Sequence, residues 1–511
     1  MTGEWLLLHQ YQNFFIKKGM SAVKCTENLD FLFHPKTIAI AGVSEKAKNF
    51  NPGLKFLEGL MQIGFKGKIY PMNPTGGEIN GLKIYQSLKD IPDQVDYVIS
   101  AIPARYTPQL VADAAEKGVR AIHFFTSGFS EIENVEGERL QAEIMAGAKA
   151  GGIRVVGPNC LGLYCPAGGL TFNADFEKTS GPVAMISQSG GNAAHCVQEG
   201  TSRGVLFSKV ISMGNGADLN ESDYLEYLAQ DEETKIITAY IEGVKEGPRF
   251  FNALKSAAKT KPVIVLKVGT SESGAETAKS HTTAMAGSNQ VWEGTLRQAG
   301  VIRADSIEQM MDITLALQHL PAPGGNKAVI IGIGGGASVI LADEFSNAGL
   351  VLPKLGDQLR KKLIDLFPSE AGRIFKNPID LNNFESHEIF LNTLKAVDQC
   401  EEADLLIMHV AFDHFGLISV KDKELAISVY LQLIGNLKKE IQKPLAVILH
   451  SFASIEMKKL AYDAGKQLTA AGFAVFPSIQ RAAASLSKFV YYHEKRRVSS
   501  ETTSHRGSHL V

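Results

Sequence analysis

Four short stretches hold residue types able to handle phosphate or an activated carbonyl. The stretch KSHTTAMAGS (279–288) sets His281 among Ser280, Thr282 and Thr283, with small Ala284, Ala286 and Gly287 beside it. A neutral imidazole is a nucleophile near neutral pH and forms covalent intermediates, and small neighbours let a ligand approach it. Taken alone, the loop is more often that of a structural or solvated histidine. No second His or Cys stands at a ligand spacing, so no metal is expected.

In ISQSGG (186–191), Ser187, Gln188, Ser189, Gly190 and Gly191 form a strand-to-helix turn whose amides and hydroxyls suit an anion. A serine nucleophile is the rival reading, but the elbow Gly-x-Ser-x-Gly lacks its first glycine around Ser189. His195 reads as a packing or surface histidine. In TAYIEG (238–243), Glu242 closes an apolar run at the edge where ligands bind, or caps a helix starting near Pro248. AGVSEKAKNFNPG (41–53) follows a strand and opens a helix, and Gly42 allows close backbone approach to a phosphate. A dinucleotide such as NAD would want an acid at the end of the next strand. That strand reads KIYPMNP and holds none, which disfavours an oxidoreductase. Lys68 suits a phosphorylated ribose or an adenine edge.

The elements that must position these residues are legible as alternation. Short β-branched runs ending in Gly, Pro, Ser or Asn alternate with 3.6-period segments, the mark of parallel sheets wound by helices. A chain of 511 residues exceeds one ordinary core, by a prior of roughly 100 to 200 residues per domain. The fold class is α/β with three doubly wound units: 29–157, 158–321 and 328–497. They are preceded by an extension, 1–28, in which Met20 is an alternative start. A Pro/Gly linker spans 322–327 and a polar tail, 498–511, is expected to be disordered. Ligands of such sheets bind at the carboxyl ends of the strands, where Gly42, Asn73, Pro103, Ser127 and Asn159 fall.

With 52 basic and 54 acidic side chains the net charge is −2, so no overall field draws the chain to nucleic acid or an anionic membrane. The N-terminal segment lacks signal-peptide features, and no run approaches the roughly 18 apolar residues of a membrane span. Five scattered cysteines without a Cys-x-x-Cys pair fit reduced thiols in a cytoplasm.

In order along the chain, IAIAGVS, GFKGKIYPMNP, VGPNCLG, ISQSGG, ISMGN with Asp218, YIEG, and SHTTAMAG with GVIRADS resemble the NDP-forming acyl-CoA synthetases. That superfamily includes succinyl-CoA synthetase and ADP-forming acetate–CoA ligase. The likeness is to the α subunit or α half and runs from about Phe31 to Lys488. It implies a Rossmann-like CoA-binding domain over 29–157, a ligase domain carrying a phosphohistidine loop, and a second flavodoxin-like domain. By position, His281 would be transiently phosphorylated and Glu242 would stabilise it. Gly42, Ser44 and Lys68 would lie against the CoA nucleotide, and Pro103 along the pantetheine path. Asn159 and Cys160 would lie near the acyl and thiol chemistry, with the amides of Ser187 to Gly191 on phosphate.

The resemblance implies CoA as substrate, with ATP or ADP and Mg²⁺ on a separate ATP-grasp β subunit in an α2β2-type hetero-oligomer. Thr283 replaces the glycine usual after Ser-His-Thr. That departure motivates an alternative, a CoA-binding or regulatory homologue without phosphoryl transfer. The carboxylic acid depends on a pocket shape that sequence does not carry.

Overall fold

Apolar runs buried on both faces become the strands, as sheets covered by helices on each side demand. The computed structural model describes residues 28–44, 51–282, 288–332, 334–381, 387–411, 431, 434–435, 437–438, 440–450 and 455–507. The first unit holds β1 (Thr37–Ala41), β2 (Lys68–Met72), the antiparallel hairpin β3 (Gly77–Ile79) and β4 (Leu82–Ile84), then β5 (Tyr97–Ser100), β6 (Ala121–Phe124) and β7 (Arg154–Val156). Its main sheet is parallel in the order β2-β1-β5-β6-β7.

The second unit holds β8 (Gly162–Tyr164), β9 (Val183–Ser187), β10 (Phe207–Ser212), β11 (Ile236–Ile241), β12 (Val263–Lys267) and β13 (Ile302–Ala304), in the order β13-β12-β11-β9-β10-β8. Only the edge strand β8 runs against its neighbour. The third unit holds β14 (Ala328–Gly332), β15 (Ile374–Phe375), β16 (Ile379–Asp380), β17 (Leu405–Ala411), β18 (Leu445–His450) and β19 (Ala474–Phe476), in the order β15-β16-β14-β17-β18-β19. Each sheet therefore has a point where the winding reverses. These lie between β1 and β5, between β9 and β11, and between β14 and β17. Crevices for ligands open at such points, beyond the carboxyl ends of the strands.

Helix starts are fixed by side-chain caps that satisfy otherwise unpaired amides. Asn51 caps the helix Pro52–Ile63 by accepting from the Leu54 amide at 2.6 Å. Asn220 and Asp223 form a reciprocal capping box on Glu221–Gln230. The first two sheets share one core, in which Ile38, Ile40 and Val156 pack with Ile186, Ile211 and Ile241. The third unit is pinned to the second by Asp312, fully buried, which receives Arg203 at 2.6 Å and Arg481 at 2.7 Å. The final helix, Ile479–Gly507, runs past residue 498 into the segment for which the sequence predicts no structure. A packed helix propagates at little cost once nucleated, and its polar residues follow it.

Candidate active site

At the first switch point the backbone itself does the positioning. Gly42 follows β1 with φ +102°, and a Cβ there would stand 2.5 Å from the Ala101 carbonyl oxygen beyond β5. Gly53, in the first turn of its helix, meets the Gly42 carbonyl oxygen equally closely, at 2.6 Å from a notional Cβ. Strand end, neighbouring strand end and helix start are thus packed backbone to backbone, which a side chain would prevent. Asn51 donates to the Gly42 carbonyl at 3.3 Å, and Asn73, beyond β2, donates to the Val43 carbonyl at 3.0 Å. Ser44 continues this turn, and Pro103 opens the 3-10 turn Ala104–Tyr106 beyond β5, so both sit on the same rim.

Lys68 does not. It opens β2 in register with Thr37, whereas Ala41 at the ligand-facing end pairs with Met72. Four residues at about 3.3 Å each put Lys68 roughly 13 Å from that rim. There it pairs with Asp93 at 2.5 Å, and the Tyr70 hydroxyl also donates to Asp93. Together, Lys68 and Tyr70 hold the Asp93 carboxyl below the usual carboxylate range. Expecting Lys68 on CoA confuses the two ends of a parallel strand.

The second switch point is braced by side chains. Ser189 caps the helix Gly190–Ser202, and the Ser187 hydroxyl donates to the Ser189 carbonyl at 2.7 Å. The amides of Gln188 and Ser189 are already engaged, with the Tyr240 carbonyl and the Ser187 hydroxyl. The anion site expected over Ser187 to Gly191 therefore narrows to the first-turn amides of Gly190 and Gly191, which no intrahelical acceptor can reach. Gly191 borders open space.

The Gln188 side chain instead crosses to the end of β11. Its Oε1 accepts from the amides of Glu242 at 2.5 Å and Gly243 at 3.1 Å, while Nε2 donates to the Gly243 carbonyl at 2.8 Å. Glu242 is buried, at 4% exposure, and hydrogen-bonds the Tyr240 hydroxyl. Burial first, and then Glu242, push that phenol up to about 12. Glu242 is no helix cap, since the next helix, Gly247–Thr260, begins after Glu246.

Lys267 ends β12 beside Ile241, and its ammonium donates to the Glu242 carbonyl oxygen at 2.8 Å. Burial lowers this lysine to about 8 against the pull of Glu242, and Arg303 adds to the fall.

The carboxyl ends of β6 and β7 from the first sheet and of β9 and β10 from the second face one cavity of about 240 Å³. Phe125, Ser127, Asn159, Cys160 and Leu161 line one side, with Gln188, Ser189, Gly190, Gly191, Gly214 and Asn215 on the other. Gly214 is obligatory, because a Cβ there would stand 2.3 Å from the Asn159 and Pro158 carbonyl oxygens. Cys160 is 4% exposed, and burial pushes its thiol well above the usual range, so it stays neutral. Beneath it His123 is likewise held neutral, lowered by burial to about 4 despite its contact with the Cys160 carbonyl at 3.1 Å. Neither is poised as a nucleophile or base.

Ser280, His281 and Thr282 form the last turn of the helix Glu272–Thr282 rather than a loop. Ala275 and Ala278 are strong helix formers, and they outweigh the hydroxylated residues. That helix packs beside the 3-10 turn Ser130–Ile132, whose Glu131 accepts from Asn215 Nδ2 at 2.6 Å. The helix bearing His281 thus borders the rim of the cavity. The His281 side chain, and residues 283–287 with Thr283, lie outside the described residues. His195 lies exposed on its helix.

Comparison with known proteins supplies the family. Residues 36–166 match the CoA binding domain model and residues 180–317 the Succinyl-CoA ligase like flavodoxin domain model. The acetate–CoA ligase [ADP-forming] I subunit alpha of Pyrococcus furiosus is 35% identical over 468 residues, covering 90% of this chain and 96% of that one. The chain belongs to the ADP-forming acetate–CoA ligase α-subunit family. A relative from Archaeoglobus fulgidus, acetate–CoA ligase [ADP-forming] I, is 37% identical over 383 residues, and there the match covers 54% of the longer protein. Among solved structures, the Ca. Korarchaeum cryptofilum dinucleotide forming acetyl-coenzyme A synthetase 1, in complex with phosphate and ADP, superposes with a TM-score of 0.79 at 30% identity. That match covers 93% of this chain and 98% of that one.

Within this family fold, three site residues escape the sequence reading. Gly53 looks like any helical glycine. Asn215 is visible only as the polar residue closing ISMGN, and Lys267 only as a cation ending the apolar run VIVLK. Asn215 bridges the units. Its Nδ2 contacts Glu131 and Gln141, its main-chain amide donates to the Pro158 carbonyl at 3.0 Å, and its Oδ1 has no partner among the described residues.

Proposed function

We infer that the chain is the α subunit of an ADP-forming acyl-CoA synthetase of the acetate–CoA ligase type. It interconverts acyl-CoA, phosphate and ADP with carboxylate, CoA and ATP. The observation that carries this reading is the single cavity lined both by the Gly190 and Gly191 amides and by Asn159 and Cys160. At about 240 Å³ it suits a phosphate and the thioester end of a ligand rather than a whole nucleotide. The nucleotide portion of CoA would lie along the rim formed by Gly42, Ser44 and Pro103.

In the cavity a phosphate oxygen attacks the thioester carbonyl and the C–S bond breaks. The departing CoA thiolate takes the proton that the attacking hydrogen phosphate gives up, and an acyl phosphate remains. The Gly190 and Gly191 amides and the positive end of their helix offset the phosphate charge. A nitrogen of His281 then attacks phosphorus and the P–O bond to the carboxylate breaks, giving phosphohistidine. Glu242 accepts a hydrogen bond from the other ring nitrogen and favours the cationic ring of the intermediate. Finally an oxygen of the ADP β-phosphate attacks, the P–N bond breaks, and the imidazole is restored. Acyl phosphate and phosphohistidine are both high-energy species, so positioning and charge neutralisation are most of what the protein must supply.

The ADP step, with Mg²⁺, belongs to a partner. Supporting this, the relative named subunit alpha is matched along 96% of its length and the longer relative along 54% of its own. An ATP-grasp β subunit in an α2β2 assembly fits that division. A cytoplasmic setting accords with the four free, buried cysteines among the described residues. The test is thiol release from acetyl-CoA by the purified chain. Release that requires phosphate but not ADP is expected; release independent of phosphate, or none, contradicts the reading.

A further inference from the structure

Lys267 is 4% exposed at the end of β12, and nothing in the scheme above uses it. Its Nζ donates to two main-chain carbonyls, that of Glu242 at 2.8 Å and that of Val268, and lies 5.0 Å from the centre of the Trp292 ring. The Val268 contact is local, to the next residue, and the other two reach separate segments. Glu242 heads the turn after β11, Val268 begins the connection to the helix Glu272–Thr282, and Trp292 lies in the helix Asn289–Ala299. The second and third flank the stretch that carries His281 on either side. A buried ammonium is costly unless its protons are matched, and an apolar side chain of equal length would fill the same space. The charge is held where two carbonyls and an aromatic face converge, an arrangement that fixes the segments relative to one another.

We propose that Lys267 is a positioning residue for phosphoryl transfer, tying the strand end that leads into the His281 stretch to the Glu242 turn and to the Trp292 helix that follows that stretch. The inference rests on the roles given above to Glu242 and His281. The charged and titratable groups that face Lys267 are Glu242, itself bonded to Tyr240, and Arg303, which pairs with Glu293 at 2.7 Å.

The test uses the full chain with acetyl-CoA and [³²P]phosphate, comparing wild type, Lys267→Met, Lys267→Arg and His281→Ala. The initial rate of protein labelling should fall about 10- to 100-fold in Lys267→Met, as expected for misplacement by about an ångström, with CoA affinity by calorimetry within about twofold. Lys267→Arg should recover most of that rate. Because Lys267 discharges near pH 8, the wild-type rate should fall above about that pH, and the fall should move to higher pH in Lys267→Arg. Wild-type labelling in Lys267→Met, or a parallel loss of CoA affinity, overturns the proposal. Should Lys267→Met fail to fold by circular dichroism, the pH profiles decide, and identical alkaline limbs in wild type and Lys267→Arg overturn it. Label that persists in His281→Ala contradicts the underlying reading and the proposal with it. Label lost there but kept in Lys267→Met contradicts the proposal alone.

Discussion

The first and second switch points solve the same geometric problem with different materials. Between β1 and β5 the chain uses absence: Gly42 and Gly53 remove side chains so that backbones meet. Between β9 and β11 it uses presence: Gln188, Glu242, Tyr240 and Lys267 are buried or nearly so and bonded to one another or to the turns they support. A surface that holds a nucleotide needs close backbone approach, whereas a step that moves a phosphoryl group needs charge at fixed positions. The contrast agrees with the proposed division, in which CoA is bound at the first point and phosphoryl transfer is supported at the second.

The contrast can be broken most forcefully at Gly42. Gly42→Val places a branched side chain at positive φ against the Ala101 carbonyl, and should destabilise the chain by about 3 kcal/mol or more and abolish CoA binding. Denaturant unfolding and calorimetry check both. Gln188→Leu leaves the amides of Glu242 and Gly243 and the Gly243 carbonyl unpaired, and should cost about 2–3 kcal/mol, with labelling lost before CoA affinity. Equal loss of the two would merge the two points into one.

Glu242→Gln should lower the phosphoenzyme yield about tenfold and leave CoA affinity nearly unchanged, since in the proposed mechanism the carboxylate acts on the imidazole and not on the nucleotide. The smallest effect is expected at Lys68→Ala. Loss of its exposed pair with Asp93 should leave the unfolding midpoint and the CoA affinity essentially unchanged. A large drop in CoA affinity would return Lys68 to the site.

The sheets are legible because β-branched runs such as IAIA and VAMIS end in Gly42 and in Gln188–Ser189, where periodicity and turn chemistry agree. The ligand-facing rim is legible for the same reason, since every parallel strand in a unit ends on the same side. Lys68 is misread because its charge suits a phosphate, although it opens the run KIYPMNP and so stands at the end of the strand away from the rim. Ser280 to Thr282 are misread because hydroxylated residues suggest a loop, yet helix propensity summed from Glu272 carries through them. Gln188 is recognised as a site residue but not as a brace, because its partners lie 54 and 55 residues away. Asn215, and Lys267 apart from its bond to the adjacent Val268 carbonyl, depend on such non-local pairing. Their one local signal is a polar residue closing an apolar strand.

The central claim is that phosphoryl transfer passes through His281. The most direct measurement is ³²P incorporation into the purified chain from labelled phosphate and acetyl-CoA, followed by acid and base treatment and comparison with His281→Ala. The account predicts an acid-labile, base-stable label on the wild type that is lost in the variant. A wild type without such label, or a variant that keeps it, would contradict the account.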